Sequence, residues 1–424
     1  MQPIQPKSSD NVHKLIDHLF RHESGKMISV LCRLLGFKNL ETAHDIVQDT
    51  LLMAMQHWSY GKVPENPSAW LYRVAKNKAI DFLRREKKLR QILPEYAYLL
   101  ESEYRLSSTI NSLFVENEIK DSQLRMMFAC CHPSIAEESQ IAIVLKTLCG
   151  LSTLEISKAF LSAEEKISKR IYRAKEKIKV EKIELELPEE HQLPDRLDAI
   201  LKSLYLLFNE GYNSTHPDRL IRKDFCEEAI RLCFILTENK LTAFPRTYAL
   251  LALMHFQGSR LNARIDDRGN IIVLKYQDRT KWNHSLIEKG FDLLEKAAEP
   301  FETSTYHFEA GIASIHASAT SIEQTDWKSI YHLYELLYQY QPSPVIALHK
   351  AIASRYAIGK QYALNELKEL KGLEKHHLYY ASLGEISYDL NLIPDAKKYF
   401  EAALRHTNSR TEQQFLRDKI ARCN

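Results

Sequence analysis

The sequence predicts an all-α protein built from several helical segments. Glycine and proline are scarce, at 12 and 14 of 424 residues, whereas apolar residues make up 45% of the chain. Long stretches rich in Leu, Ala, Glu, Lys and Tyr carry their apolar residues at the spacing of amphipathic helices. A chain of this length is expected to fold as two or three domains.

The first segment, residues 11–90, is predicted to be helical with one interruption, "GKVPENPSAW" (61–70). Pro64 and Pro67 break the helix, and Asn66 before Pro67 is typical of a new helix start. Eight Lys and Arg but only two acidic residues lie between positions 73 and 90. This density favours contact with phosphates over a merely solvated face. Trp70, at the start of this helix, has two interpretations: it stacks on bases, or it anchors the core.

Residues 91–120 are rich in acids and Ser, and we expect a linker with one short helix. Residues 121–180 form a second helical segment that ends in two adjoining helices, "GLSTLEISKAFLSAEEKISKRIYRAKEKIK" (150–179). Ser162 and Glu165 have the spacing of a capping box for the second helix. The buried stripe of that helix is predicted to be Ile167, Ile171, Ala174 and Ile178. Such a pair predicts a helix-turn-helix whose second helix enters a DNA major groove. The alternative is an ordinary amphipathic helix with a charged solvent face.

The charge of the chain is unevenly placed. Residues 1–180 contain 27 Lys and Arg against 21 Asp and Glu, a net charge of +6. The whole chain carries +3, so the remaining residues carry −3. A cationic front part is typical of proteins that bind nucleic acid, and the back part lacks this property.

The tail, residues 197–424, follows an acidic, proline-containing boundary at 180–196. We expect helices up to its end, with one excursion at 261–283, where a turn at 267–270 predicts a small hairpin or an extended loop. Near the end, several residues have the spacing of a tetratricopeptide (TPR) repeat. They are Tyr380, Leu383, Gly384, Ala396, Phe400 and Ala403, with Ala351 and Ala363 one repeat of 33 residues earlier. This pattern predicts an α-solenoid.

The sequence offers no set of residues for catalysis, for a metal or for a cofactor. The seven cysteines do not form an evenly spaced framework, and we expect them to be reduced. Cys130 and Cys131 are adjacent and cannot easily share one tetrahedral ion. No apolar run is long enough to cross a membrane, and the first twenty residues do not have the pattern of a signal peptide. We therefore predict a cytoplasmic protein that is not an enzyme.

The order of these segments resembles an RNA polymerase sigma factor of the sigma-70 family, in its extracytoplasmic-function (ECF) group. "HDIVQDTLLMAMQHW" (44–58) resembles the helix that binds the polymerase clamp. "NPSAWLYRVAKNKAIDFLRRE" (66–86) resembles the segment that melts and reads the −10 promoter element, and residues 121–179 resemble the region that reads the −35 element. The tail resembles a subgroup with a long C-terminal helical extension, through "LYLLFNEGYNSTHPDRLIRKDFCEEAIRL" (204–232), "YQDRTKWN" (276–283) and "YQPSPVIALHKAIA" (340–353).

The resemblance implies two small helical sigma domains, the second a helix-turn-helix, followed by an α-solenoid or TPR-like domain. It implies that core RNA polymerase is bound through its β′ clamp by Asp45, Gln48 and Asp49, and that the β flap is a further contact. It implies that promoter DNA is bound at the −10 element by Trp70, Asn77, Lys78, Asp81, Arg84 and Arg85, with Tyr72 beside them. The implied −35 contacts are Lys166, Lys169, Arg170 and Arg173. Ser162, Glu164 and Glu165 either cap that helix or contact a base or phosphate.

Three functions stay open at this point. The first is a sigma factor whose extension controls it in cis, and a regulatory partner of the extension belongs to this hypothesis. The second is a one-component helix-turn-helix regulator whose tail senses a ligand, and the third is a TPR scaffold that binds a peptide. The motif "FNEGY" (208–212) could line a ligand pocket, but a helix end with buried hydrogen bonds explains its residue types better.

Overall fold

A computed structural model describes residues 9–85, 112–160, 162–214, 221–266, 270–298 and 302–423. In these ranges the chain forms 18 α-helices and several short 3-10 turns. The one β pairing within them is an isolated antiparallel bridge between Ile265 and Ile271. The prediction of an all-α fold is confirmed.

The helices of the first half are α1 (Ser9–Leu35), α2 (Leu40–Tyr60), α3 (Pro67–Arg85), α4 (Glu116–Cys130), α5 (Glu137–Thr147), α6 (Thr153–Ala159), α7 (Glu164–Val180) and α8 (Leu193–Tyr212). Those of the second half are α9 (Lys223–Glu238), α10 (Pro245–Ser259), α11 (His284–Ala297), α12 (Thr305–Ser318), α13 (Trp327–Tyr340), α14 (Pro344–Ala357), α15 (Lys360–Glu369), α16 (His377–Asp389), α17 (Ile393–Arg405) and α18 (Arg410–Ala421).

The chain divides into two compact units, residues 1–207 and 208–424. The division falls inside α8, later than the predicted boundary at 180–196. Residues 193–207 of α8 belong to the first unit, where Lys202 of this helix lies 2.6 Å from Glu137 of α5. We call α1–α3 the N-terminal block and α4–α7 the second block. The predicted linker is outside the described residues up to position 111, and its last residues begin α4.

The predicted helix starts are confirmed at one place and wrong at another. Asn66 Oδ1 accepts a hydrogen bond from the Ala69 amide at 3.0 Å, so α3 begins at Pro67 as expected. The predicted capping box at Ser162 and Glu165 does not form, and α7 begins after Ala163 without a side-chain cap. The Ser162 amide instead donates to the Ser157 carbonyl at 2.8 Å, because the connection between the two helices is so short. The capping box lies one helix earlier, between Ser152 and Glu155 of α6.

The "FNEGY" motif ends α8 and has structural contacts within the second unit. Glu210 is buried and accepts a hydrogen bond from Ser214 at 2.9 Å. Gly211 lies so close to Phe225 and Cys226 of α9 that a Cβ atom would be 2.8 Å from both residues. The Arg264 guanidinium lies 3.7 Å from the centre of the Tyr212 ring. These contacts agree with the structural interpretation of the motif.

The predicted excursion at 261–283 consists of short 3-10 turns and the isolated bridge. The bridge is closed by hydrogen bonds from the Asp266 amide to the Asn270 carbonyl, at 3.0 Å, and from the Ile272 amide to the Arg264 carbonyl, at 2.8 Å. Residues 267–269 of the predicted turn lie outside the described residues. The pairing is that of a minimal hairpin.

Most of the TPR-spaced residues of the tail are buried where consecutive helices pack. Ala351, Ala363, Ala396 and Ala403 are fully buried, as is Phe400. At Gly384 of α16, a Cβ atom would lie 2.6 Å from Cε1 of Phe400 on α17. A glycine is required there because the two helices approach closely around the phenylalanine ring.

Replacing Gly384 by alanine should therefore destabilise the protein. Overpacking against the Phe400 ring costs about 1–3 kcal/mol, which exceeds the gain of roughly 1 kcal/mol in helix propensity. Gly258→Ala is the matched control, since a Cβ there meets only Ile230 and Leu286, at 3.6 and 3.8 Å. Urea unfolding of the full chain, followed by circular dichroism, should show a lower midpoint for G384A and an unchanged or higher one for G258A. Equal midpoints for the two variants would refute the packing argument.

Candidate polymerase and promoter interface

The outer face of α2 presents the residues for which a polymerase contact is predicted. Asp45, Gln48 and Asp49 are exposed, while Ala43, Val47, Leu51 and Ala54 on the opposite face are buried. The spacing of three and four residues brings the two carboxylates and the amide to one side of the helix. This face can therefore bind a cationic surface.

Asp49 also has a partner inside the N-terminal block. Its carboxylate lies 3.0 Å from the ammonium of Lys78 on α3. The pair joins one predicted polymerase residue to one predicted −10 residue. An exposed ion pair of this kind contributes little to folding stability. It holds the two side chains where the acidic face of α2 meets the cationic face of α3.

The exposed face of α3 is cationic, as the sequence predicts. Asn77, Asp81, Arg84 and Arg85 are exposed, and Leu71, Ala75 and Ala79 form the buried face. Arg84 lies 3.6 Å from Asp81, so part of its charge is balanced locally. Arg73, in the second turn of α3, adds a further exposed cation. Lys87, Lys88 and Arg90 of the predicted cluster lie outside the described residues.

The two aromatic residues at the start of α3 are held by other parts of the block. Trp70 is half-buried and packs edge to face against Trp58 of α2, with ring centres 5.4 Å apart. The Tyr72 hydroxyl is hydrogen-bonded to Glu23 of α1, and its ring lies 5.5 Å from that of Phe114. Trp70 thus has the packing expected of an anchor, and part of its surface remains accessible.

The predicted groove-reading helix α7 buries the predicted stripe and exposes most of its cations. Ile167, Ile171, Ala174 and Ile178 are buried. Lys166, Lys169 and Arg173 are exposed, and Lys169 lies 2.7 Å from Glu165 on the same helix. Within the described part of the chain, Lys166 and Arg173 have no ion-pair partner. These two side chains are therefore accessible to an external anion.

Arg170 differs from its neighbours. Its side chain is 8% exposed, forms an ion pair with Glu138 of α5 and lies 5.5 Å from the centre of the Phe160 ring. In this arrangement it joins α7 to the rest of its block and is not free to enter a groove. Tyr172, for which no role was predicted from the sequence, is 63% exposed beside Arg173. Its position off the apolar stripe is the signal that could have identified it.

The N-terminal and second blocks pack against each other through α1. Arg33 of α1 lies 2.7 Å from Glu118 and 3.0 Å from Asp121 of α4. A Cβ atom on Gly25 of α1 would lie well inside van der Waals contact of the Leu148 carbonyl that follows α5. Only glycine allows the backbones of the two blocks to come this close.

Beside this contact, His44 and Gln48 of α2 border a small cavity whose far wall includes Lys146 and Gly150. Lys175 of α7 reaches the same region and lies 3.4 Å from Glu41 of α2. Burial, together with the nearby Lys175 and Lys146 ammonium groups, lowers the pKa of His44 to about 3. The imidazole is therefore neutral at neutral pH. Burial and Lys175 also lower the pKa of Lys146. Cationic groups of the second block thus border the α2 face.

The cysteines are not arranged as a reactive or metal-binding site in the described ranges. Six of the seven cysteines are buried free thiols, and burial raises the pKa of Cys130 to about 12. No cluster of His, Cys, Asp or Glu suited to a metal ion occurs in those ranges. Nor does any helix described there combine the length and apolar character needed to span a membrane.

Comparison with known proteins assigns two parts of the chain. Residues 19–89 match sigma-70 region 2, and residues 196–298 match a family of unknown function, DUF6596. An uncharacterised protein of Rhizobium meliloti (strain 1021) is 33% identical over 387 residues, which cover 91% of this chain and 90% of that protein. The RNA polymerase sigma factor SigV of Bacillus subtilis (strain 168) is 40% identical over 53 residues, 12% of this chain and 32% of that protein. No solved structure matches significantly.

The region 2 match spans α2, α3 and most of α1, the helices that carry the acidic and the first cationic face. The chain therefore contains a segment that matches sigma-70 region 2. Over nearly its full length it belongs to one family with the uncharacterised protein of Rhizobium meliloti.

Proposed function

We propose that this protein is a dissociable promoter-recognition subunit that binds core RNA polymerase and directs transcription initiation. The observation that carries the proposal is the region 2 match of residues 19–89, which contains an exposed acidic face and an exposed cationic face on adjacent helices. In the proposal the protein is not an enzyme, and its finer assignment is to the ECF group. A one-component regulator or a TPR scaffold would not need the acidic face of α2.

In the proposal the α2 face binds the β′ clamp of the polymerase. Asp45 is the clearest contact, since it is exposed and has no ion-pair partner within the described ranges. Asp49 is paired with Lys78, so a polymerase cation would compete with that lysine. Release of Lys78 from Asp49 would then make its ammonium available to DNA phosphates. This exchange would couple polymerase binding to −10 recognition.

The two cationic faces read the two promoter elements. On α3, Asn77, Arg84 and Arg85 would contact the −10 element, and on α7, Lys166, Lys169 and Arg173 would contact the −35 element. Lys and Arg bind guanine edges as well as phosphates, and a good contact to a base contributes about 1–3 kcal/mol of discrimination. Tyr172 adds an exposed ring beside Arg173. Arg170 has a positioning role, because it fixes α7 through Glu138.

Reading two separated elements requires the two blocks to move apart. Thirty residues lie between Arg85 and Glu116, and a chain of this length spans about 100 Å when fully extended. We infer that the packed arrangement belongs to the free protein and that it opens on core polymerase. The C-terminal extension, which we assign as TPR-like, would set this activity in cis or through a partner.

Reversing the charge at Asp45 should weaken binding to core polymerase. Asp45→Lys places a cation opposite a cationic clamp, while exposed charge changes alter folding stability by no more than about 0.5 kcal/mol. Glu288→Lys, on the exposed side of α11 in the second unit, is the matched control. In competition for core polymerase against a labelled wild-type chain, D45K should compete at least several-fold less well than E288K. Equal competition by both variants would remove α2 from the interface.

The cations of α7 should separate into two classes. Arg173→Ala should lower transcription directed by the purified protein and core polymerase, without a change in the melting temperature, because its side chain is exposed. Arg170→Ala should lower the melting temperature, since it removes a buried side chain that packs on Phe160 and pairs with Glu138. Raising the salt concentration should narrow the difference in transcription between the wild type and R173A, because contacts between cations and phosphates weaken as the salt concentration rises. A fall in melting temperature for R173A, or none for R170A, would contradict these assignments.

Gly25→Ala should loosen the contact between the two blocks. The new methyl group would overlap the Leu148 carbonyl, and no side-chain rotation can relieve a clash between two backbones. The free variant should bind a promoter fragment at least several-fold more tightly than the wild type in a fluorescence anisotropy titration. Gly258→Ala, which meets only ordinary contacts, should bind like the wild type. A folded G25A protein with unchanged DNA affinity would show that the packed blocks do not restrain the readers.

A further inference from the structure

The second unit contains a cavity of about 320 Å³ that the proposed function does not use. Its walls come from helices that are distant in sequence, namely α14, α16 and α18, and from Trp327 at the start of α13. The segment 273–276 of the excursion closes one side. Small-molecule sites in proteins have volumes of about 300–1,000 Å³, and the cavity lies at the lower end of that range.

The lining is mostly apolar, and two of its three charged side chains, Arg355 and Glu385, form ion pairs, while the third, Lys275, is exposed to solvent. Arg355 forms an ion pair with Asp389, and Glu385 lies 2.6 Å from Lys419. The Ser382 hydroxyl donates to the Leu378 carbonyl at 2.8 Å. Water in such a space finds few hydrogen-bond partners. The site therefore favours an uncharged ligand over an ion.

One wall is a fixed aromatic pair. The rings of Trp327 and Tyr356 are stacked, with centres 4.1 Å apart and planes 16° apart. The indole N–H donates to the Ile322 carbonyl at 2.9 Å, which holds the Trp327 ring in place. Tyr356 remains 37% exposed. A flat ring that enters the cavity can extend this stack, and such ring contacts add about 0.5–1.5 kcal/mol beyond the burial of area.

The segment that closes the cavity is anchored from behind. Arg279, three residues after Tyr276, donates to the carbonyls of His316 and Ala319, both at 2.6 Å, and to the Thr325 hydroxyl at 3.1 Å. The anchor holds the excursion against the loop between α12 and α13. A molecule in the cavity would contact the excursion and three helices at once, so its binding would stabilise their relative arrangement.

We infer that this cavity is a binding site for a small, uncharged, ring-bearing organic molecule. The inference concerns the second unit alone and does not depend on the proposed function. If the protein is also a promoter-recognition subunit, such a molecule is an effector that acts through the extension.

The test uses the full chain and N-phenyl-1-naphthylamine, an uncharged dye whose fluorescence rises in apolar surroundings. We expect saturable binding of one dye molecule per chain. Ser382→Leu fills part of the cavity, and Tyr356→Ala removes the stacking ring without adding volume. Each variant should weaken dye binding at least tenfold. The control Leu392→Phe changes an exposed residue outside the lining and should bind like the wild type.

Circular dichroism spectra and melting curves establish which variants are folded. If S382L is misfolded, Y356A alone tests whether the dye binds in the cavity, since this substitution removes an accessible side chain and adds no bulk. The absence of saturable binding to the wild type would overturn the inference. So would dye binding that is unchanged in Y356A, or that is lost on Phe234→Ala, which alters a separate groove lined by α9, α10 and α11. Promoter-directed transcription is not part of this measurement, so failure of either proposal is distinguishable from failure of the other.

Discussion

The first unit depends on the burial of α1, which packs both on α2 and α3 of its own block and on α4 of the second block. Between Met27 and Leu35 every side chain except that of Arg33 is buried or nearly so, on all sides of the helix. A helix that is apolar all round must be surrounded by protein. Arg33, the one charged position in this stretch, is neutralised by Glu118 and Asp121 of α4. The N-terminal block and the second block therefore share one core helix, and the arrangement of their cationic surfaces follows from it.

This shared core sorts the cations of the unit into two groups. The first group forms ion pairs within the protein: Arg33 and Lys175 join the two blocks, and Arg170 fixes α7 on α5. The second group, which includes Lys166 and Arg173, has no ion-pair partner in the described ranges and is accessible. A count of basic residues cannot separate the groups, because both contribute equally to the charge of +6. Only the second group is accessible to an external anion in this arrangement, and Lys78 would join it if Asp49 paired with another cation.

Structural features that depend on residues close together in the sequence were predicted well. The buried stripe of α7, the start of α3 at Asn66 and the all-α class all follow from periodicity and local capping. The sequence could not predict the pairs that depend on packing, such as Lys78 with Asp49, 29 residues apart, or Arg170 with Glu138, 32 apart. The misplaced capping box is a local exception, since the short connection lets the Ser162 amide donate to the Ser157 carbonyl of α6 instead. The apolar run "MISVLCRLLGF" (27–37) indicates a helix that is buried on all sides. The helical periodicity alone did not predict this burial.

The second unit stabilises its helices by a different device, in which small residues allow close approach and aromatic rings fill the space between helices. Gly384 accepts the Phe400 ring of the next helix, and Gly290 accepts the Phe256 ring in the same way. Trp327 and Tyr356 make a comparable stack, but no glycine among the described residues brings a neighbouring helix against it, and open space remains beside the pair. An unfilled space between helices lowers the stability of the fold, because the side chains around it lose packing contacts. A ligand that fills it would recover that stability, which links occupancy of the cavity to the rigidity of the extension.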